Sequence, residues 1–349
     1  MSDRVKLKNR LGHIVQQAIA ERVATACSLF VGFAHEDTAS DILVHGGFTG
    51  AKRPVDDDTI YDLASLTKIL GTSLSVAHAI SRGRMALADK PFSSWPEISV
   101  RDLLAHRTGL PAHRKFYEEL ELSPRDFVKN QKRVFDHLLT MKTTPNGKRL
   151  YSDVGFMALG FLLEEVFKKP LFLIFQDTWT DLCTDTQFIK FSSNSSVEAE
   201  ELKLIAPTGT PCMGGILVHD ANCQFLDGLA GHAGLFGNLS SVKRIGQWFL
   251  RAKKAPTHET AMMIQRFADE GLGFDKPILR GSTTRTFSKR AFGHFGYTGT
   301  SLWIEPEAHK SNGIIVALLT NRVNCSEKPD GIFWLRLAVH RAVSLNTVG

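Results

Sequence analysis

Apolar positions along the chain follow several spacings, and each predicts a different kind of element. From Val5 to Ala24 they recur as Leu11, Ile14, Val15, Ala18 and Ile19, one side of an amphipathic helix. Ser28 to Phe33 and Ile42 to Phe48 are short runs rich in β-branched and aromatic residues, and they predict two strands that could pair as a hairpin. Ile69, Leu70, Leu74, Val76, Ala77, Ala79 and Ile80 cover most of the surface of a helix, so that helix should be buried. Ser99 and Asp102 are spaced as a capping-box pair at the start of another. The charged stretch from Arg114 to Lys142 predicts surface helices. Val154 to Phe167 predicts a helix in which Gly155 and Gly160 permit close packing, and Ser192 to Ser196 reads as a polar loop. Thr286 to Ile304 and Gly313 to Thr320 read as core strands, and Ile332 to Val343 as a closing helix.

Strands therefore gather at both ends and helices in the middle. That order predicts an α/β (α+β) fold whose sheet domain is split in sequence, 1–70 and 240–349, around a mostly helical region, 71–239, with a site at their interface. No internal repeat interrupts it. An apolar share of 43% over 349 residues is enough for a sizeable core. No apolar run approaches the roughly 18 residues of a membrane span. The charged N-terminus lacks an apolar stretch after it, so a cytoplasmic location is expected, with export as the alternative if a signal has been trimmed. The net charge of +6 is scattered and interspersed with acids, without an aromatic-basic ladder, which favours a solvated basic surface over nucleic-acid binding. Cys27, Cys183, Cys212, Cys223 and Cys325 are odd in number and form no C-x-x-C, so reduced thiols are the default, a Cys212–Cys223 bridge is conceivable, and no metal site is indicated.

One feature of the buried helix changes the picture. Ser65-Leu66-Thr67-Lys68 sets a hydroxyl and an amine one turn apart, with Thr72 and Ser75 continuing a narrow polar stripe. A buried lysine must be paired or lose its proton, and a neutral lysine beside a serine is a base beside a nucleophile. The S-x-x-K pattern occurs again at Ser240-Ser241-Val242-Lys243, where the serine reads as an N-cap and the lysine as solvated. The chain has no G-x-S-x-G elbow, no H-E-x-x-H and no phosphate-binding glycine loop.

Three further segments join the first. They are Val100-Arg101-Asp102-Leu103-Leu104-Ala105-His106-Arg107-Thr108-Gly109-Leu110-Pro111; Tyr151-Ser152-Asp153, 86 residues beyond Ser65; and Phe292-Gly293-His294-Phe295-Gly296-Tyr297-Thr298-Gly299-Thr300-Ser301. In this order, from about Asp56 to Arg322, they resemble the serine β-lactamase and penicillin-binding-protein superfamily, in particular its class C branch. Gly231-His232-Ala233-Gly234-Leu235-Phe236 resembles a subgroup of β-lactamase-related hydrolases, some linked to cell-wall recycling.

The resemblance implies a β-lactamase/transpeptidase-like antiparallel sheet flanked by helices, and an acyl-enzyme formed without metal or cofactor. It makes Ser65 the nucleophile, Lys68 a base or a group that lowers its neighbours' pKa, and Tyr151 the partner base or relay, against a bland reading as a core tyrosine. It implies an oxyanion hole from the backbone N–H groups of Ser65 and Tyr297. Asp153 stands where the family has Asn; it either pairs with Lys68 or caps the helix from Val154. His294 and Phe295 replace the lysine and hydroxyl of the family's Lys-Thr-Gly motif, and a partly charged His294 would be a weaker carboxylate clamp. Gly296 would let a substrate approach the strand closely. His232 and His219-Asp220 either line the cleft or are structural. The expected substrate is an amide or ester in a small molecule or muropeptide, as in DD-carboxypeptidases and muramoyl-L-alanine amidases. A carboxylesterase and a non-hydrolytic muropeptide- or β-lactam-binding protein are the alternatives, and the oligomeric state is left open.

Overall fold

The computed structural model describes residues 3–33, 41–145, 147–182, 186–191, 198–209, 218–277, 286–308, 313–325 and 330–345. Its centre is a five-stranded antiparallel sheet. The strands are β1 (Ala26–Phe33), β2 (Ile42–Gly47), and, after a two-residue pair β3 (Tyr61–Asp62) and β4 (Phe236–Gly237), β5 (Phe292–Phe295), β6 (Ser301–Glu305) and β7 (Ile314–Thr320). Their order across the sheet is β2-β1-β7-β6-β5, so the first hairpin and the last three strands close side by side. The expected stretch from Thr286 to Ile304 is not one strand. It is a hairpin in which His294 faces Leu302, and the Gly296–Thr300 turn, with Gly299 at φ +98°, reverses the chain.

Side-chain alternation explains how this sheet sits between two layers. In β7, Ile314, Val316 and Leu318 face one cluster while Ile315, Ala317 and Leu319 face the other. Both faces are covered, which is why β7 reads as a continuous apolar run. One cover is made by helix α1 (Asp3–Ala20), through Leu7, Leu11, Val15 and Ala18, together with the C-terminal helix Gly331–Leu345. The other is led by helix Leu239–Lys254, whose Val242, Ile245 and Phe249 pack on the sheet. That helix corrects the reading of the second S-x-x-K copy. Its cap is Asn238, which accepts the Ser241 N–H at 2.9 Å, and Lys243 is not free in solvent but paired with buried Asp41 at 2.5 Å.

The segment bearing the first copy runs behind this layer. It opens with a single 3-10 turn over Ala64–Leu66, widens to a π turn over Lys68–Thr72 and continues as an α-helix, Ser73–Ser81. From Leu66 to Ala79 every residue is buried, as its all-round apolarity requires. Around it lie helices Val100–Leu104, with the Ser99/Asp102 capping box formed, Phe127–Leu139, Asp153–Phe167 and Leu171–Leu182. Gly160 lies against Gly231, where an added Cβ would meet the Gly231 nitrogen at 2.9 Å; Gly155 has no such close neighbour. The polar loop Ser192 to Ser196, Cys183 and Cys212 lie outside the described residues, and with Cys212 the conceivable bridge to Cys223. Cys27 and Cys223 are buried free thiols. No helix among the described residues is long and apolar enough to cross a membrane.

Candidate active site

Three sequence-distant elements converge on Ser65. The turn that presents it is strained: Ala64, a residue with a Cβ, holds φ +47°, and Asp62 Oδ1 accepts the Ala64 N–H at 2.8 Å. Ser65 does not cap a helix. Its Oγ receives a hydrogen bond from Lys68 Nζ at 3.0 Å and another from the Tyr151 hydroxyl at 2.9 Å. All three line or adjoin a cleft of about 830 Å³ that also takes in Asp153, His232, His294, Gly296 and Tyr297.

Lys68 is fully buried, and of the two alternatives for a buried lysine, pairing or loss of the proton, its surroundings show pairing. Nζ donates to Asp153 Oδ1 at 2.7 Å and to the His232 carbonyl at 2.9 Å, besides Ser65. Burial alone would lower the lysine pKa, but the Asp153 carboxylate and the Tyr151 hydroxyl outweigh it and hold the ammonium above its ordinary range. Burial likewise opposes the charge on Asp153, yet Lys68 and His113 keep the carboxyl well below the usual carboxylate range. The two open readings of Asp153 are thereby resolved: it is the lysine's counter-ion, and Ser152 is the helix cap, accepting the Gly155 N–H at 3.1 Å. Tyr151 is a phenol at rest, because burial pushes it up to about 12 even though Lys68 pulls the other way.

The Val100-to-Pro111 signature has a physical function here: its His106 and Pro111 end grips the Tyr151 loop. His106, at φ +56°, accepts the Leu150 N–H on its carbonyl at 2.9 Å and the Ser152 N–H on Nδ1 at 3.0 Å. Ser152 Oγ donates to the Pro111 carbonyl at 2.7 Å, and the Asp153 N–H to that of Ala112 at 2.8 Å. The His106 ring packs 4.8 Å from the Tyr151 ring, and burial lowers its pKa to about 3, so it stays a neutral acceptor.

The Gly231–Phe236 segment is tied to the Ser65–Ser81 helical segment along its length. Thr72 Oγ1 donates to the Gly231 carbonyl at 2.6 Å and the Leu235 N–H to Thr67 Oγ1 at 3.2 Å. His232 is buried with Nε2 3.2 Å from Asp220 Oδ1; burial opposes that carboxylate, but the His232 ring holds it down at about 2. Asp220, Cys223 and His232 have candidate metal-ligand atoms within 4.8 Å of one another. A metal would need the thiolate, however, and burial pushes the Cys223 thiol well above its ordinary value while its S–H points to the Ala233 carbonyl at 3.3 Å. The trio fits a hydrogen-bonded support behind Lys68 better than a metal centre.

The third motif faces Ser65 from the edge strand β5. Thr298 Oγ1 donates to the Asp62 carbonyl at 2.8 Å and Thr300 Oγ1 to that of Leu63 at 3.1 Å, so the turn after β5 is fastened to the residues just before Ser65. Gly296 is required there, since a Cβ would meet Thr300 Oγ1 at 2.0 Å and the Leu63 carbonyl at 2.8 Å. His294 departs from the expectation of partial charge. Its ring is 2% exposed, Nδ1 donates to the Phe295 carbonyl at 2.7 Å, and burial lowers its pKa although Asp275 lies 3.9 Å from Nε2. A neutral ring cannot clamp a carboxylate by charge. Among the cleft residues that escaped the sequence reading are His113, 3.5 Å from Asp153, and Tyr117, Asp275, Arg322 and Arg336.

A family model described as Beta-lactamase matches residues 34–339. The chain belongs to the β-lactamase family. This serine hydrolase family member is 26% identical over 315 residues to the N-acetylmuramyl-L-alanine amidase of Bacillus subtilis, covering 76% of this chain and 68% of that protein. It is 27% identical over 308 residues to an Escherichia coli protein provisionally named a D-alanyl-D-alanine carboxypeptidase, covering 76% and 69%. Among solved structures, the β-lactamase-family fold superposes on a class C β-lactamase with a TM-score of 0.69 at 14% identity, covering 97% and 98% of the two chains. It superposes on SurE with 0.67 at 19%, covering 98% and 77%.

Proposed function

We propose that this β-lactamase-family protein hydrolyses an amide in a peptidoglycan-derived peptide, as a carboxypeptidase or a muramoyl-peptide amidase, through an acyl-enzyme on Ser65. The observation that carries the reading is the convergence of Lys68 Nζ and the Tyr151 hydroxyl on Ser65 Oγ inside the cleft. The names of the two relatives support the substrate class. Because Lys68 is held as a cation, Tyr151 is the better proton acceptor. Once the Lys68–Tyr151 pair has lost one proton, the ammonium favours the phenolate, which takes the Ser65 proton as Oγ bonds the carbonyl carbon. In this reading the N–H groups of Ser65 and Tyr297 stabilise the oxyanion, Tyr151 returns the proton to the leaving nitrogen as the C–N bond breaks, and water then releases the acyl group by the reverse path. His232 and Asp153 act behind Lys68, and Gly296 lets the turn after β5 pack against Leu63, next to the Ser65 turn.

The assembled trio gives a non-hydrolytic binder no advantage, since binding alone does not need all three groups. A turnover screen with muropeptides, short acyl esters and a chromogenic cephalosporin tests the reading. Release of an amino acid or peptide from the muropeptides, abolished in Ser65→Ala, is expected. Turnover of esters alone would replace it with the esterase reading.

A further inference from the structure

Asp62 lies just ahead of Ser65 and takes no part in the proton transfers, yet both walls of the cleft are fastened to it. It is 3% exposed, and among the described residues no cation pairs with it. Its carboxylate instead accepts two backbone N–H groups, that of Ala64 at 2.8 Å on Oδ1 and that of His219 at 2.7 Å on Oδ2. The first bond holds the turn in which Ala64 stands at φ +47°, directly before Ser65. The second holds His219, whose ring stacks on the Tyr297 ring with 5.1 Å between centroids and 27° between planes. The Asp62 carbonyl accepts the hydroxyl of Thr298, the neighbour of Tyr297, at 2.8 Å. One residue thus holds the turn that carries the Ser65 N–H and two supports of the strand end that carries the Tyr297 N–H.

A buried carboxylate without a cation is costly to the fold. Burial, with the Asp220 charge adding to it, outweighs the two N–H bonds and pushes the Asp62 pKa up to about 6. The other titratable groups that face it are Cys223 and His219. Burial keeps the first a thiol and lowers the pKa of the second, so both are neutral at pH 7. An asparagine of the same shape would be less costly to bury, but its amide nitrogen could not accept the second N–H. We propose that Asp62 is a positioning residue that sets the separation of the Ser65 and Tyr297 N–H groups, and with it the fit of the oxyanion hole to the transition state. The use of those groups as an oxyanion hole rests on the hydrolase reading above; the double tether does not. Displacing such a donor by about 1 Å can cost on the order of a hundredfold in rate. Protonation would turn one accepting oxygen of Asp62 into a donor that faces an N–H, so the alignment needs the ionised carboxylate.

Asp62→Asn is compared with the wild type on a short acyl ester and on phenylboronic acid. The boronic acid mimics the tetrahedral intermediate: Ser65 Oγ bonds boron, the Oγ proton passes to Tyr151, and a boron-bound oxygen enters the oxyanion hole. The variant should lose about ten- to hundredfold in kcat and in boronate affinity. KM should move by less than about threefold, since the lost alignment matters only in the transition state. The ratio of wild-type to variant kcat/KM should be full above about pH 7 and shrink as pH falls below about 6, where wild-type Asp62 takes up its proton. The Lys68–Tyr151 ionisation is common to both proteins and cancels in that ratio. Stability should run the other way. The folded pKa lies above the unfolded value of about 3.9, so the Asp62 contribution is complete below that value and is lost as pH rises through about 6. The melting temperature of Asp62→Asn relative to the wild type should therefore rise from about pH 4 to about pH 7. Thr298→Val keeps the carboxylate and removes the hydroxyl that holds the Asp62 carbonyl; it should lower kcat and boronate affinity together, and it carries the test if Asp62→Asn does not fold. An unchanged kcat, a loss confined to KM, or an activity ratio constant from about pH 5 to about pH 8 would overturn the proposal. The expected ratios on the ester without hydrolysis of muropeptides would sink the amide reading and leave the role of Asp62 standing. Muropeptide hydrolysis with a boronate affinity indifferent to Asp62→Asn would do the reverse.

Discussion

Replacing Asp153 by Asn probes the ion pair on which the proton economy of the site depends. Asp153 Oδ1 lies 2.7 Å from Lys68 Nζ. At an effective dielectric constant of about 20, two unit charges at that distance attract by about 6 kcal/mol, an upper bound. Asn retains a hydrogen bond to the ammonium worth about 2 kcal/mol. The ammonium therefore loses several kcal/mol, and the Lys68–Tyr151 pair gives up its first proton at lower pH. If Tyr151 must be free to accept the Ser65 proton, kcat/KM rises with pH through that ionisation. Asp153→Asn should shift this rising limb down by at least about one pH unit, since one unit is about 1.4 kcal/mol. The assay is kcat/KM against pH with a short acyl ester for both proteins. An unmoved limb, or one displaced upward, refutes the charged-lysine account. The same pair sets a stability signature. Asp153 has a depressed folded pKa, so its contribution is complete above the unfolded value of about 3.9 and is lost as pH falls below it. Lys68 is raised, so its contribution is complete below about 10.4 and is lost above. Melting temperatures of Asp153→Asn should fall by the equivalent of about 3–5 kcal/mol at neutral pH, and less in strong acid.

Tyr151→Phe removes only the hydroxyl that touches Ser65 Oγ, so the fold should persist while kcat drops by roughly two to four orders of magnitude; a near-wild-type kcat removes Tyr151 from the chemistry. Gly160→Ala places a Cβ 2.9 Å from the Gly231 nitrogen and should cost about 1–3 kcal/mol in chemical denaturation, with a lower kcat because Gly231 and His232 hold Thr72 and Lys68 of the Ser65 segment. Burial keeps His294 neutral, so any preference for a carboxylate substrate should show no step near pH 6.5, whereas His294→Lys should strengthen that preference; a step there in the wild type would show that the ring titrates in the cleft.

The elements that can be read along the chain are those governed by neighbours in sequence. The apolar run of β7, the Ser99/Asp102 capping box and the stripe of α1 are of this kind, and each forms within a few residues of its expected bounds. The Ser65/Lys68 pair was legible for a related reason, since a lone lysine on an apolar helix demands a partner, whereas Tyr151 came from the family resemblance. The same logic applies to Arg336, a charge between Leu335 and Val339 on a buried helix face, and would have found it. What the sequence hides is pairing at long separation and the degree of burial. The hairpin reversal at Gly296–Thr300, the Lys243–Asp41 pair across 202 residues and the neutrality of His294 all depend on which surfaces meet. Asn238 took the cap that Ser240 was expected to supply because the helix begins one residue before Ser240.

The central claim is that Ser65, held by Lys68 and Tyr151, is the nucleophile of this β-lactamase-family hydrolase. Its most direct test is the reaction of the folded protein with a fluorophosphonate probe, followed by peptide mass spectrometry. A single adduct on Ser65, lost in Ser65→Ala and slowed in Tyr151→Phe, is the predicted result. Labelling at Ser240, or no adduct under conditions where substrate turns over, would contradict it.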